Sequence, residues 1–346
     1  MKLYYGGDIK SGGFRFLSNG YICIDFVVEN APYDKYIKDI CLYINQNHVD
    51  KVFIFSLTKE EINLSFLSEC EGINEIQISA LCENLDVIYR LSPTKLYLQE
   101  QDYPIQFDKL HENLVEFTLY NVSGGNRKPC LNEDILGCEK LKSLNVSGCE
   151  AKDLALIMQM SLLEELGIVD CKVKTTKMFD FSNLKFVKTL LLQNVSKSLF
   201  SIVKDFPLLT DLWCNQMSIE TLSEIGTRNR LRSMHLNYCS KLTDISALED
   251  CQSIEVVEIE SCKNIKDLTP LIKLKQLKHL KLFKCGEIPT LSFINEIPSL
   301  ESIIFTETNV LDGDLRPCMR LKSAWSSTGK KHYNISVDDL PHNPHN

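Results

Sequence analysis

One tract recurs along this chain at a short, nearly fixed interval, and it limits what the chain can fold into more than any other feature. Leu141-Lys-Ser-Leu144-Asn-Val146-Ser-Gly-Cys149 returns, little changed, as Leu163 to Cys171, Leu231 to Cys239, Ile254 to Cys262 and Leu277 to Cys285. Neighbouring copies are 22 to 24 residues apart. Self-similarity at such a period means a stack of small supersecondary units, each too small to bury its own apolar side.

The pattern LxxLxLxxC at this spacing predicts an α/β repeat solenoid, a leucine-rich-repeat horseshoe. Its concave wall is a parallel β-sheet, and short helices, 3₁₀ turns and loops form the convex side. Copies start at Val49, Ile73, Pro93, Leu114, Leu141, Leu163, Val187, Leu209, Leu231, Ile254, Leu277 and Leu300, with a degenerate closing copy at Leu321. Positions 1, 4, 6 and 9 point inward, as in Val187, Leu190, Leu192 and Val195. Positions 3, 5 and 7 fall on the other face of a short strand, because side chains alternate along it. Four buried anchors contribute about 1.5–3 kcal/mol each. Ordering a whole repeat costs about 1–2 kcal/mol per residue, which is more. A lone copy therefore cannot fold, and the ends need covers.

These considerations divide the chain into an amino-terminal cap over 1–48, about a dozen repeats over 49–320, a closing cap over 321–340 and a disordered tail over 341–346. In the first cap, Phe14-Arg-Phe16 and Ile22-Cys-Ile24-Asp-Phe26 flank Asn19-Gly20, a hairpin signal. Pro32 then opens a helix with an apolar stripe of Tyr36, Ile37, Ile40, Cys41 and Ile44. Asp244–Leu248 and Asp267–Leu271 are short enough to predict 3₁₀ turns, whereas 198–206 and 219–225 have room for about two helical turns. Ser123-Gly-Gly-Asn-Arg-Lys-Pro129 is a loop insertion.

Fourteen cysteines raise the question of disulfides. Cys149, Cys171, Cys239, Cys262 and Cys285 share one repeat position, and Cys70, Cys138, Cys251 and Cys318 share another. Residues that recur in register face one kind of core environment, where free cysteine packs as a small hydrophobe. No CxxC pair suggests a zinc ribbon. The net charge of −8 disfavours nucleic acid, whose phosphates it would repel. That charge suits a basic protein partner or serves solubility alone. No stretch is apolar enough to span a membrane, and the start lacks the apolar core of a signal peptide. The expectation is a cytoplasmic monomer.

Cys239-Ser-Lys-Leu242-Thr-Asp-Ile245-Ser-Ala-Leu248 and Cys262-Lys-Asn-Ile265-Lys-Asp-Leu268-Thr-Pro-Leu271 resemble the short repeats of bacterial internalins and of eukaryotic phosphatase-regulating leucine-rich proteins. The resemblance runs roughly from 49 to 327 and is closest between 141 and 300. It implies a curved, right-handed solenoid that binds proteins through its concave sheet. The chain departs from those families in placing cysteine where they place asparagine. The amino-terminal cover and the Lys331-His-Tyr-Asn334 ending are similar to those of bacterial cytoplasmic leucine-rich proteins. Some of these are thought to be immunity partners of secreted toxins, so the resemblance makes that role a candidate. Regulation or targeting of an enzyme such as a phosphatase is the alternative.

The concave wall has a readable composition. Position 5 carries Tyr97, Leu191, Trp213, His235, Glu258, Lys281 and Trp325, and position 7 carries Tyr120, Asn215, Asn237, Glu260 and Phe283. Aromatic residues among amides and charges match the make-up of interface hot spots. The candidate partner-binding patch is Leu191, Trp213, Asn215, His235, Asn237, Tyr238, Glu258, Glu260, Lys281, Phe283 and Trp325, with Tyr97 and Tyr120 as extensions. Glu258 and Glu260, with Glu165 and Asp211, are the groups expected to meet a basic partner; the plain alternative is a solvated sheet. No phosphate-cradling glycine loop, HExxH or GxSxG occurs, so catalysis, metal and cofactor are not expected.

Overall fold

The computed structural model describes residues 13–16, 22–26, 33–56, 61–99, 101, 104–120, 131–174, 179–227 and 230–341. The Asn19-Gly20 turn, Pro32, the 123–129 insertion, the tail from 342 and the side chains of Tyr36 and Ile37 lie outside the described residues. The chain gathers into two compact units, Met1–Leu163 and Glu164–Asn346.

In the first unit, Gly13–Phe16 and Ile22–Phe26 pair antiparallel. Helix Tyr33–Gln46 then returns the chain, so that Lys51–Ser56 pairs parallel with Ile22–Phe26. Ile40, Cys41 and Ile44 of that helix are buried, and Leu42 on its other side is exposed. Strands Glu75–Ser79, Lys95–Gln99, Glu116–Tyr120 and Ser143–Ser147 follow in parallel, each beside its predecessor. Two short helices connect them in places. Asp86–Leu91 buries Val87, Ile88 and Tyr89 and ends at Ser92, whose left-handed backbone returns its N–H to Ile88. Ala151–Ile157 starts at a capping box between Glu150 and Asp153.

The second unit repeats one motif. Strands Glu165–Val169, Thr189–Gln193, Asp211–Asn215, Ser233–Asn237, Val256–Glu260, His279–Phe283, Ser302–Ile304 and Ser323–Trp325 pair in parallel and in chain order. Each begins two residues after a repeat start read from the sequence. Leu190, Leu192, Leu212, Leu236, Val257, Ile259, Leu280 and Leu282 are all essentially inaccessible, and the side chains between them are the more exposed ones. The alternation follows from the pleat. Ser246–Asp250 and Thr269–Lys273 are 3₁₀ turns, as their length predicts. The expected helices at 198–206 and 219–225 are instead 3₁₀, Lys197–Asp205 and the single turn Ser223–Ile225. A 3₁₀ segment rises about 2.0 Å per residue against 1.5 Å for an α-helix, so it covers the return path with fewer residues.

After the first six of these strands the chain turns through a left-handed residue: Asp170, Asn194, Gln216, Tyr238, Ser261 and Lys284 have φ between 48° and 55°. The N–H of each donates to the next strand, as in Tyr238 N to Glu260 O at 2.8 Å and Ser261 N to Phe283 O at 2.8 Å. The cysteines come next, and they do more than fill space. Cys239 Sγ donates to Cys214 O at 3.4 Å, Cys262 Sγ to Leu236 O at 3.3 Å and Cys285 Sγ to Ile259 O at 3.2 Å. Thr308, in the same seat one repeat on, donates to Leu282 O at 3.0 Å. In return, Cys239 N donates to Cys262 Sγ and Cys285 N to Thr308 Oγ1. The thiols thus satisfy buried backbone groups where the strand ladder ends.

Residues 328–341 fold back along the last repeats. Val310 N donates to Tyr333 Oη and Leu315 N to Asn334 Oδ1, while Ala324 N donates to Pro341 O. Leu340 is buried in this closure.

Candidate functional site

The register of the second unit sets the exposed face of its sheet as a grid. One row runs Leu191, Trp213, His235, Glu258, Lys281, Ile304, Trp325, each residue paired with the next across neighbouring strands. A second row runs Gln193, Asn215, Asn237, Glu260, Phe283. The proposed patch residues Leu191 to Phe283 therefore share one face, with Tyr238 on the turn beside them and Trp325, 41% exposed, further along the first row. Tyr97 and Tyr120 belong to the first unit. There Tyr97 Oη donates to Glu116 Oε2 at 2.8 Å, and Tyr120 Oη to Ile78 O at 3.0 Å.

Within the first row, side chains interact in sequence. The Trp213 and His235 rings stack with centroids 3.5 Å apart and planes 3° from parallel. His235 Nδ1 lies 2.9 Å from Glu258 Oε2, and Lys281 Nζ pairs with Glu258 Oε1. The His235 hydrogen bond is the main force that lowers the Glu258 pKa to about 2; Lys281 adds to it and partial burial opposes it. At neutral pH Glu258 is therefore a carboxylate and only accepts, so His235 Nδ1 carries the proton of that bond.

Two expectations change here. His235 stands on the exposed face by position, but stacking against Trp213 leaves it only 7% accessible. Glu258, expected to await a basic partner, already has two partners of its own. Glu260 and Asp211 are different: among the described residues neither has a cation within pairing distance. Glu260 Oε1 accepts from Tyr238 Oη at 2.7 Å, and Asp211 Oδ2 accepts from Thr210 Oγ1 at 2.6 Å. Asn215 Nδ2 donates to Gln193 Oε1 at 2.9 Å, while its buried Oδ1 has no partner. Lys284 Nζ lies 4.6 Å from the centre of the Phe283 ring and 3.7 Å from Glu307.

The members of the chain His235–Glu258–Lys281 are one repeat apart at the same position, so the sequence makes their adjacency readable but not their pairing. A second such chain, Arg232–Glu255–Lys278, runs just before the strands. No three His, Cys, Asp or Glu side chains among the described residues cluster as metal ligands. A hollow of about 500 Å³ in the first unit is lined by Ile135, Leu136, Met160 and Leu162 together with Glu139, Gln159 and Ser161.

The fold is that of known leucine-rich-repeat proteins. An internalin from Listeria monocytogenes superposes with a TM-score of 0.53 at 13% identity, over 90% of this chain and 87% of its own. A leucine-rich-repeat protein from Leptospira interrogans does so with a TM-score of 0.50 at 17% identity, over 87% of this chain and 81% of its own. No family model and no curated protein matches the sequence. The chain has the leucine-rich-repeat fold. Among the described residues no helix is long and apolar enough to cross a membrane.

Proposed function

We propose that this chain is a non-catalytic module that captures a partner protein on the exposed sheet face of its second unit. The observation that carries this reading is the Trp213–His235 stack held in place by Glu258 and Lys281. A large aromatic surface fixed before binding loses little entropy when a partner arrives. Around it lie amides, a half-buried Phe283 and carboxylates without cations, the mixture found at interface centres. The described cysteine side chains are buried free thiols, which fits a reducing compartment such as the cytoplasm.

One specific form is immunity to a toxin, in which Asp211 and Glu260 approach a basic active site and occlude it. Affinity capture from the native cell, comparing wild type with a Trp213→Ala/Phe283→Ala variant checked for an unchanged fold, tests the face. Loss of the partner in the variant is expected, and equal capture by both proteins overturns the proposal. A captured toxin would support the immunity form; a captured phosphatase would make the chain a regulatory subunit instead.

A further inference from the structure

We infer that the seat formed by His235, Asn237, Glu260 and Tyr238 takes an arginine side chain of the partner, an inference that rests on reading this face as a protein-binding surface. The first support is a single nitrogen. The His235 side chain is 9% exposed, with one ring face against Trp213 and Nδ1 committed to Glu258. Its Nε2 has no partner among the described residues and is not among the fully enclosed polar atoms. In the tautomer that carries its proton on Nδ1, Nε2 is a lone-pair acceptor, and the stack against Trp213 holds the ring plane.

Two more acceptors lie beside it. Asn237 is two residues along the same strand, on the same face, about 7 Å away by strand geometry. Its in-register neighbour is Glu260, about 5 Å across the sheet. The Asn237 side chain has no partner among the described residues. Glu260 uses one oxygen for Tyr238 Oη and keeps the other, together with an uncompensated charge. Tyr238 is 47% exposed and forms a wall on the turn side.

The nearby cations are already engaged, Lys281 with Glu258 and Lys284 with Glu307. What is left is one negative charge and three acceptors spread over two strands. A guanidinium meets that pattern with five N–H groups in a rigid plane. A lysine ammonium, a compact point charge, satisfies Glu260 but spans the three acceptors poorly.

The test uses the full chain and a short neutral-flanked peptide carrying one arginine, with lysine and citrulline versions as controls. NMR follows the His235 ring and the Asn237 side-chain amide. Saturable shifts at both are expected with the arginine peptide, and affinity at least about five-fold weaker with lysine or citrulline. Glu260→Gln should weaken arginine binding about ten-fold, or about 1.4 kcal/mol. No response at His235, an equal response to citrulline, or unchanged binding by Glu260→Gln overturns the seat. Capture lost in the Trp213→Ala/Phe283→Ala variant with no response to the arginine peptide removes the seat and keeps the face. A peptide response with capture unchanged in that variant does the reverse.

Discussion

Trp213 and His235 lie on neighbouring strands and stack at 3.5 Å, so that a residue placed on an exposed face becomes a buried one. The contact links packing to recognition, because the stack fixes the plane of the imidazole while Glu258 fixes its tautomer. A double-mutant cycle measures it. Trp213→Ala and His235→Ala should each destabilise the protein, and their coupling should be about 0.5–1.5 kcal/mol, the range for aromatic pairs. Denaturant unfolding of the four proteins reads this directly, and strictly additive effects would show that the stack contributes nothing.

Glu258 gives the protein an acid-sensitive element. Its pKa falls from an ordinary value of 4.5 to about 2 on folding, mainly through His235. A lowered folded-state pKa means a contribution that is complete above pH 4.5 and lost as pH falls through about 2. Asp314 and Glu301 are also lowered, so wild-type unfolding alone does not isolate Glu258. The difference between wild type and Glu258→Gln does. The stability gap between them should be widest above pH 4.5 and close towards pH 2. A gap that stays constant across that range would show that the carboxylate is not held by His235 and Lys281.

The sequence made the strand positions readable because the core imposes one requirement per repeat. Leu190, Leu192, Leu212 and Leu236 had to point inward, which sets every other side chain on those strands. The site was readable only as far as position. Whether His235 stood free or lay against Trp213 depends on side-chain torsions, which the repeat pattern does not encode. The same holds for Glu258, whose charge is visible in the sequence but whose neutralisation by Lys281 requires both side chains to lean across the strands. Lys197–Asp205 misled for another reason. Leu199, Phe200, Ile202 and Val203 have spacing close to helical, yet nine residues in a 3₁₀ path cover about 18 Å where an α-helix covers about 14 Å.

The cysteine ladder yields the last prediction, and two of its members separate packing from hydrogen bonding. Val195 and Thr308 occupy the seat that Cys262 fills in its own repeat, so both side chains fit there. Cys262→Thr keeps a donor for Leu236 O and an acceptor for Cys239 N, whereas Cys262→Val keeps the volume and loses both. If the thiol only packs, the two variants should have equal stability. If it also bonds, the threonine variant should be more stable by about 0.5–1.5 kcal/mol, the net value of a buried hydrogen bond. Thiol labelling adds an independent measurement. Burial raises the Cys285 pKa to about 11, so only about one molecule in ten thousand carries its thiolate at neutral pH. Alkylation of Cys285 should therefore wait for unfolding and speed up in step with denaturant, and rapid labelling of the native protein would contradict the buried ladder.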